Sequence, residues 1–430
     1  MDWLFLGIVV AGGMYFLLSY RRFDVFSLAF FSGCVYFLPG FFGAVRDLTS
    51  DTPVPLVPEA YAVMAAVLAA IVVGGWSFTA AEPLEERRPQ ADGQTTYLAL
   101  LAAILSLVIA LCTDGDIYFS SDKGDVLGGM SRWFRLYCLA SAMAAVLAFA
   151  HRQWRSLMVA CGLLLFNVYI GFRATCAVTM LAIFLVHFHQ QGPRRLVRDN
   201  RRAAVIAGAA AVFFFVYKTI SKAIKLGEFE VVHERLVDPQ FYLASVLDSE
   251  PFVTQSILNE VLRTGFETDG RYILTGIVAQ FTFFGNELGI DVTSFNDLFQ
   301  PVLFREVEFG LAGNVWAEML AAGGWPLLCG FLAGFVLVLR ALSGWLSASH
   351  VSTQACVALS AAYMAFYLHR TDVGFQITLQ KRLLAVWFGV VLVSEVLRRL
   401  PGRKRTARLA GPRRRPHVLD RDVELESVPA

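Results

Sequence analysis

Apolar residues come along this chain in long runs, not in alternation with polar ones. The runs cover residues 3–19, 25–45, 61–80, 97–113, 134–150, 156–170, 176–187, 203–220, 325–342, 353–368 and 383–396. A helix of about 20 apolar residues crosses the hydrocarbon core of a bilayer. The eleven runs therefore predict an all-α polytopic membrane fold with about eleven transmembrane helices. The sixth and seventh runs are short and separated only by Gly171-Phe172-Arg173-Ala174, but joined they would be too long for a single crossing.

Composition agrees with the runs. Of 430 residues, 56% are hydrophobic and 17% charged, and the mean hydropathy is +0.56. A soluble domain is about a quarter charged. This chain has too little polar surface to cover itself in water, and a disordered, fibrous or disulfide-rich secreted protein is excluded as well. The seven cysteines lie in or beside apolar runs and form no CxxC pair, so they read as small packing residues. Met1-Asp2-Trp3 has no basic region and no cleavage motif follows, so the first run reads as a span and not a removable signal.

The net charge of +2 matters less than where the charges sit. Basic clusters occur at Arg21/Arg22, Arg87/Arg88, Arg152/Arg155, Arg194–Arg202 and along the C-terminal tail from Arg398 to Arg415. With eleven spans every cluster falls on one side, which the positive-inside rule makes cytoplasmic. The N-terminus is then outside and the C-terminus inside, in the cytoplasm. The tail reads as stop-transfer charge attracted to anionic lipid, not as a nucleic-acid site, and ends in an acidic stretch over 420–426 expected to be disordered.

Four regions follow: a bundle of eight spans over 1–220, a large periplasmic loop over 221–318, three further spans over 319–397, and the tail over 398–430. The loop is rich in acids, including Glu228, Glu230, Glu234, Asp238, Asp248 and Glu250. Ser249-Glu250-Pro251 makes a helix start, and Phe252, Ile257, Leu258, Val261 and Leu262 fall at helical spacing after it. That segment and the apolar stretch over 273–284 are expected to lie on the bilayer surface as amphipathic helices.

The candidate chemistry lies at the outer ends of the spans. Arg173 sits in the tight turn between the sixth and seventh, and Lys123 and Arg132 lie after the fourth. His369, Arg370 and Asp372 follow the tenth, with Lys381 and Arg382 close behind. With Arg263, Arg271 and Arg305 of the loop they can form an outward cationic pocket. Guanidinium groups bind phosphate oxygens in bidentate fashion and stay charged at any working pH, so such a pocket suits a diphosphate. Lys381 and Arg382 read equally well as interface snorkellers, Arg263 and Arg271 as solvated loop charges, and Glu318 as an ordinary helix-start acid. No Walker A, GxGxxG, HExxH or GxSxG pattern is present, and Asp114-Gly115-Asp116 is a weak metal signal.

Several segments resemble one family. They are Ser121-Asp122-Lys123, Gly171-Phe172-Arg173, Asp248-Ser249-Glu250-Pro251-Phe252 through Arg271-Tyr272-Ile273, and Gly310-Leu311-Ala312-Gly313-Asn314-Val315-Trp316-Ala317-Glu318 followed by Gly323-Gly324-Trp325-Pro326. The arrangement is similar to the Wzy-type O-antigen polymerases, which join oligosaccharide repeat units of bacterial surface polysaccharides. The likeness covers most of residues 1–400 and is one of topology and loose motifs.

The resemblance implies a GT-C-like helical fold in a bacterial inner membrane, with the N-terminus and the large loop periplasmic and the C-terminus cytoplasmic, and a glycosyltransferase working on undecaprenyl-diphosphate-linked oligosaccharides, without cofactor or metal. A chain-length regulator is the protein partner it would allow. Arg173, Arg263, Arg271 and Arg370 are the positions matching the diphosphate-holding arginines, and Lys123 is a further cation for that role. The attacking sugar hydroxyl needs a base. Glu250, His233 or His369 can serve, with Glu250 preferred. Two other functions stay open: an O-antigen ligase of the same fold, and a polysaccharide-related transporter or flippase. The second is disfavoured by the lack of internal repeats and mid-span charges.

Overall fold

The computed structural model describes residues 2–19, 23–50, 52–78, 93–120, 126, 128–191, 201–281, 293–307 and 310–399. Lys123, the Arg21/Arg22 and Arg87/Arg88 clusters, part of the cluster after residue 191 and the tail beyond Arg399 lie outside the described residues.

Each apolar run carries a helix. The first is α1 (Asp2–Leu18), followed by α2 (Val25–Tyr36), the single-turn α3 (Pro39–Phe42) and α4 (Pro58–Ser77). Next come α5 (Gln94–Tyr118), α6 (Arg132–Ala150), α7 (Trp154–Ile170), α8 (Arg173–Gln191) and α9 (Arg201–Leu226). The long loop holds α10 (Phe229–Val237), α11 (Pro239–Leu247), α12 (Glu250–Thr264), α13 (Arg271–Phe281) and α14 (Phe295–Leu303). The chain closes with α15 (Val315–Ala348), α16 (Val351–Phe366), a 3-10 turn over Tyr367–Arg370, and α17 (Val373–Arg399). Among the described residues, six helices are long and apolar enough to cross a membrane: α4, α5, α6, α15, α16 and α17. Helices α1, α2, α7 and α8 are apolar but shorter. The protein is an all-α, multi-pass membrane protein.

Helices α6 and α16 form the centre. Ala140, Ala142, Ala144, Ala145 and Ala148 on α6 and Ala355, Ala358, Ala361, Ala362 and Ala365 on α16 are fully buried. Small side chains let helix backbones approach closely, which drives packing where lipid is as apolar as the protein. Helix α6 contacts α5, α7, α8, α16 and α17, and α16 contacts α2, α8, α15 and α17.

The second run departs from expectation. It is helical only to Tyr36, turns at Phe37–Leu38, and after α3 enters a two-stranded antiparallel hairpin, β1 (Ala44–Arg46) with β2 (Pro53–Pro55). Gly43 has φ 72° and makes that exit possible. Residue 45, taken above as the end of a span, is the middle of a strand.

Polar contacts between helices sort onto two ends of the bundle. At one end Tyr15 Oη donates to the Gly75 carbonyl (3.2 Å), Thr96 Oγ1 bonds His151 Nδ1 (3.1 Å), Thr95 Oγ1 bonds Ser352 Oγ (3.4 Å), and the Arg340 guanidinium lies 5.7 Å from the Phe78 ring. At the other end gather the hairpin, the α7–α8 turn, α12, the start of α15 and the 3-10 turn. There Lys225 Nζ donates to the Ser120 and Ile170 carbonyls (3.3 and 3.1 Å).

Helix α12, expected above as an amphipathic helix of the loop, turns its apolar stripe to protein. Phe252, Thr254, Gln255, Ser256, Ile257, Leu258, Asn259 and Val261 are buried, and the helix packs on β1, α2, α4, α15 and the 3-10 turn. The Val57 amide donates to Asn259 Oδ1 (2.8 Å), Asn259 Nδ2 donates to the Pro55 carbonyl (3.3 Å), and Ser256 Oγ donates to the Arg46 carbonyl (2.6 Å). Apolar spacing alone could not distinguish a lipid-facing stripe from a protein-facing one. Helix α13 likewise packs against α17, where Lys381 Nζ donates to the Gln280 carbonyl (2.8 Å).

Candidate functional site

Three chain segments each place one charged residue at the second end of the bundle. The first is the α7–α8 turn. Gly171, at φ 117°, closes α7 with its amide on the Asn167 and Val168 carbonyls, so that α8 restarts at once on Arg173. A cation at a helix N-terminus opposes the helix dipole. Its guanidinium therefore adds to a field already positive, an arrangement suited to an anion.

The second segment is the start of α12. Ser249 takes the N-cap position and Pro251 fits the first turn. Glu250 then sits where the dipole favours a carboxylate. The third is the 3-10 turn, which ends on Arg370. Arg370 Nη1 donates to Glu250 Oε2 in a short ion pair, its side chain 18% exposed against 38% for Glu250. The Arg370 guanidinium also lies 4.9 Å from the Tyr367 ring centroid. Arg173 makes no direct ion pair among the described residues, yet Glu250 and Arg370 are within electrostatic range of it. Two guanidiniums thus flank one carboxylate, leaving an excess positive charge. The fully buried Tyr36 hydroxyl faces Arg370.

The turn bearing Arg370 is held from behind. Trp316 Nε1 donates to His369 Nδ1 (3.1 Å), and the Tyr36 ring stacks on the imidazole at 5.3 Å. His369 is fully buried, and its Nε2 faces Gly33 on α2, where an added Cβ would fall 3.9 Å away. His369, expected above as a candidate base, supports the turn from the protein interior. Asn314 caps α15, its Oδ1 accepting from the Trp316 and Ala317 amides (3.0 and 3.1 Å) and its Nδ2 donating to the Thr254 carbonyl (2.7 Å). Gly313 lets this segment pass the 3-10 turn, since a Cβ there would meet the Thr371 carbonyl carbon at 3.0 Å.

A second cluster lies alongside. Glu318 is buried, its Oε1 accepting from Tyr272 Oη (3.2 Å) and its Oε2 from the Val373 amide (2.9 Å). It ties α13 and α17 to α15, a structural task beyond that of a helix-start acid. Asp372 caps α17 by accepting from the Phe375 amide (2.6 Å), and burial raises its carboxyl above the ordinary range. Helix α15 kinks at Gly323–Gly324, and the Ala321 carbonyl left free there accepts from the Thr268 amide (2.8 Å).

The other predicted residues stand apart. Arg263 pairs with Glu260 (2.8 Å) on the exposed side of α12, and that bond raises its already high pKa. Arg271 is 89% exposed with only Asp269 nearby, at 3.9 Å. Both fit the solvated-charge alternative. His233 is exposed on α10 and makes no hydrogen bond or ion pair among the described residues. Arg305 donates to the Pro301 carbonyl at the end of α14. Sequence reasoning missed Tyr36, Tyr367 and the ion pair of Arg46 with Asp248 beside the start of α12. The tyrosines carried no signal because they lie inside apolar runs.

All seven cysteines are free thiols, and among the described residues no three His, Cys, Asp or Glu side chains gather into a metal site. Comparison with family models, with curated proteins and with solved structures finds no match.

Proposed function

We propose that this protein is a glycosyltransferase of the repeat-unit polymerase type, joining undecaprenyl-diphosphate-linked oligosaccharides at the periplasmic face of a bacterial inner membrane. The observation that carries the reading is the convergence of Arg173, Glu250 and Arg370 from three distant segments onto one end of the bundle. The positive-inside rule makes that end the outer one. The two-ended contact pattern supports eleven crossings. Tyr15–Gly75, Thr96–His151, Thr95–Ser352 and Arg340–Phe78 all join segments that eleven spans put inside. The hairpin, α12 and the Arg370 turn all join segments put outside.

In the reaction, a hydroxyl oxygen of one repeat unit attacks the anomeric carbon of the other. The bond from that carbon to the diphosphate breaks, and in-line displacement inverts the anomeric configuration. Arg173 and Arg370 stabilise the charge that develops on the departing diphosphate. Arg370 holds Glu250 in the unliganded site. A bound diphosphate competes for the guanidinium and releases the carboxylate to take the hydroxyl proton.

The test is Arg173→Ala and Arg370→Ala in a strain lacking the native gene. Single-repeat lipopolysaccharide without long chains is expected from both. Normal long-chain polymer would refute the assignment. Loss of all attached repeats would favour a ligase, and solute uptake by proteoliposomes without change to lipid-linked sugars would favour a transporter.

A further inference from the structure

The loop holds one helix that the site does not use. Helix α10 has no buried residue. Phe229, Val232 and Leu236 fall together on one side at helical spacing, Glu234 falls on the other with Val231 and Arg235, and Glu230 and Val237 lie at the border. Phe229 is 70% and Val237 66% exposed. Among the described residues, Phe229 and Leu236 on that side are exposed, and an exposed apolar side needs a cover.

The depth of α10 is fixed from below. Lys225, at the end of α9, donates to carbonyls at the ends of α5 and α7. This pins the end of α9 level with the rim of the bundle. Gly227, at φ 74°, then turns the chain, and α10 starts two residues later. Its apolar side thus continues the exposed apolar surface of α9, where Phe213 and Leu226 face outward. Helix α11 follows directly, tied to the end of α10 at the junction. Asp238 caps α11 through the Gln240 amide (2.9 Å), Tyr242 Oη donates to the Leu236 carbonyl (2.9 Å), and the Arg235 guanidinium lies 5.4 Å from the Phe241 ring. Phe241 and Tyr242 are aromatic residues of the kind that gather at membrane interfaces.

We propose that α10 lies in the headgroup layer of the same bilayer, with Phe229, Val232 and Leu236 toward the acyl chains and Glu230 and Glu234 toward water. The occupant of its apolar side is phospholipid. The helix then anchors the loop at the level where α12 begins, which holds Glu250 at headgroup depth. This placement stands independently of any enzymatic activity.

A photoreactive benzoyl-phenylalanine in place of Phe229, Leu236, Glu230 or Glu234, one at a time in the full chain, tests it with the native cysteines kept. The protein is reconstituted in phosphatidylethanolamine–phosphatidylglycerol vesicles, irradiated, and analysed by mass spectrometry. Phospholipid adducts are expected at 229 and 236, at least several-fold above 230 and 234. Phe229→benzoyl-phenylalanine keeps an aromatic side chain, so folding is preserved at that position even if Leu236 is sensitive. Equal labelling of both sides, no lipid adduct at 229, or a cross-link to a second copy of the chain would each overturn the proposal.

Discussion

Asn314 joins α15 to α12 through one buried amide, and its replacement has consequences that differ by element. Its Oδ1 satisfies two amides of the first turn of α15, and its Nδ2 satisfies the Thr254 carbonyl on α12. Asn314→Ala removes both functions. Loss of an N-cap costs about 1 kcal/mol, and loss of a second hydrogen bond to a carbonyl already bonded within its helix costs about 1 kcal/mol. The sum is about 2 kcal/mol, or roughly 30-fold in a local opening equilibrium. Asn314→Asp separates the two terms. Asp caps a helix as well as Asn does, but a carboxylate has no N–H to give Thr254 and sets oxygen against oxygen. Hydrogen exchange read by mass spectrometry on protein in lipid nanodiscs resolves the elements. With Ala, amides at 250–264 and in the first turn of α15 should both exchange up to about thirtyfold faster. With Asp, α12 should accelerate while the first turn of α15 stays protected. Unchanged protection of α12 in Asn314→Asp would refute the claim that this hydrogen bond holds the Glu250 helix in place.

Two further outcomes follow from the site and its neighbour. Arg263→Ala and Arg271→Ala should leave polymer length near normal, because both side chains are solvated and apart from the Glu250–Arg370 pair; loss of long chains in either, read on the same gels as Arg173→Ala, would bring the loop arginines back into the site. Asp372→Asn should raise thermal stability in detergent near neutral pH, since burial raises this carboxyl and its charged form is the disfavoured one in the folded protein. For an acid with a raised folded pKa, stability is complete below the ordinary value of 3.8 and falls as pH rises through the raised one. The gain from Asn, which still caps through its side-chain oxygen, should therefore shrink as pH approaches that ordinary value. A gain constant across pH would refute the electrostatic account.

Much of the fold is legible in the amino-acid order. The apolar runs determine where helices form, because a bilayer offers unpaired backbone groups no water and a helix satisfies them within the segment. Local chemistry determines several boundaries: Gly171 ends α7 directly before Arg173, and Ser249-Glu250-Pro251 starts α12 where expected. The turn cation and the loop acid were visible as candidates for that reason. Only the tertiary structure decided that Glu250 and Arg370 pair with Arg173 in electrostatic range, while Arg263 and Arg271 stand apart. It also decided that α12 is a packed element and that His369 faces the interior. The reason is physical. A stripe of apolar side chains satisfies lipid and protein neighbours alike, so periodicity does not say which way a membrane helix turns or what it faces. Those orientations come from close packing of alanine-rich helices and from single buried polar bonds such as Asn314 to Thr254, made between residues far apart in the chain.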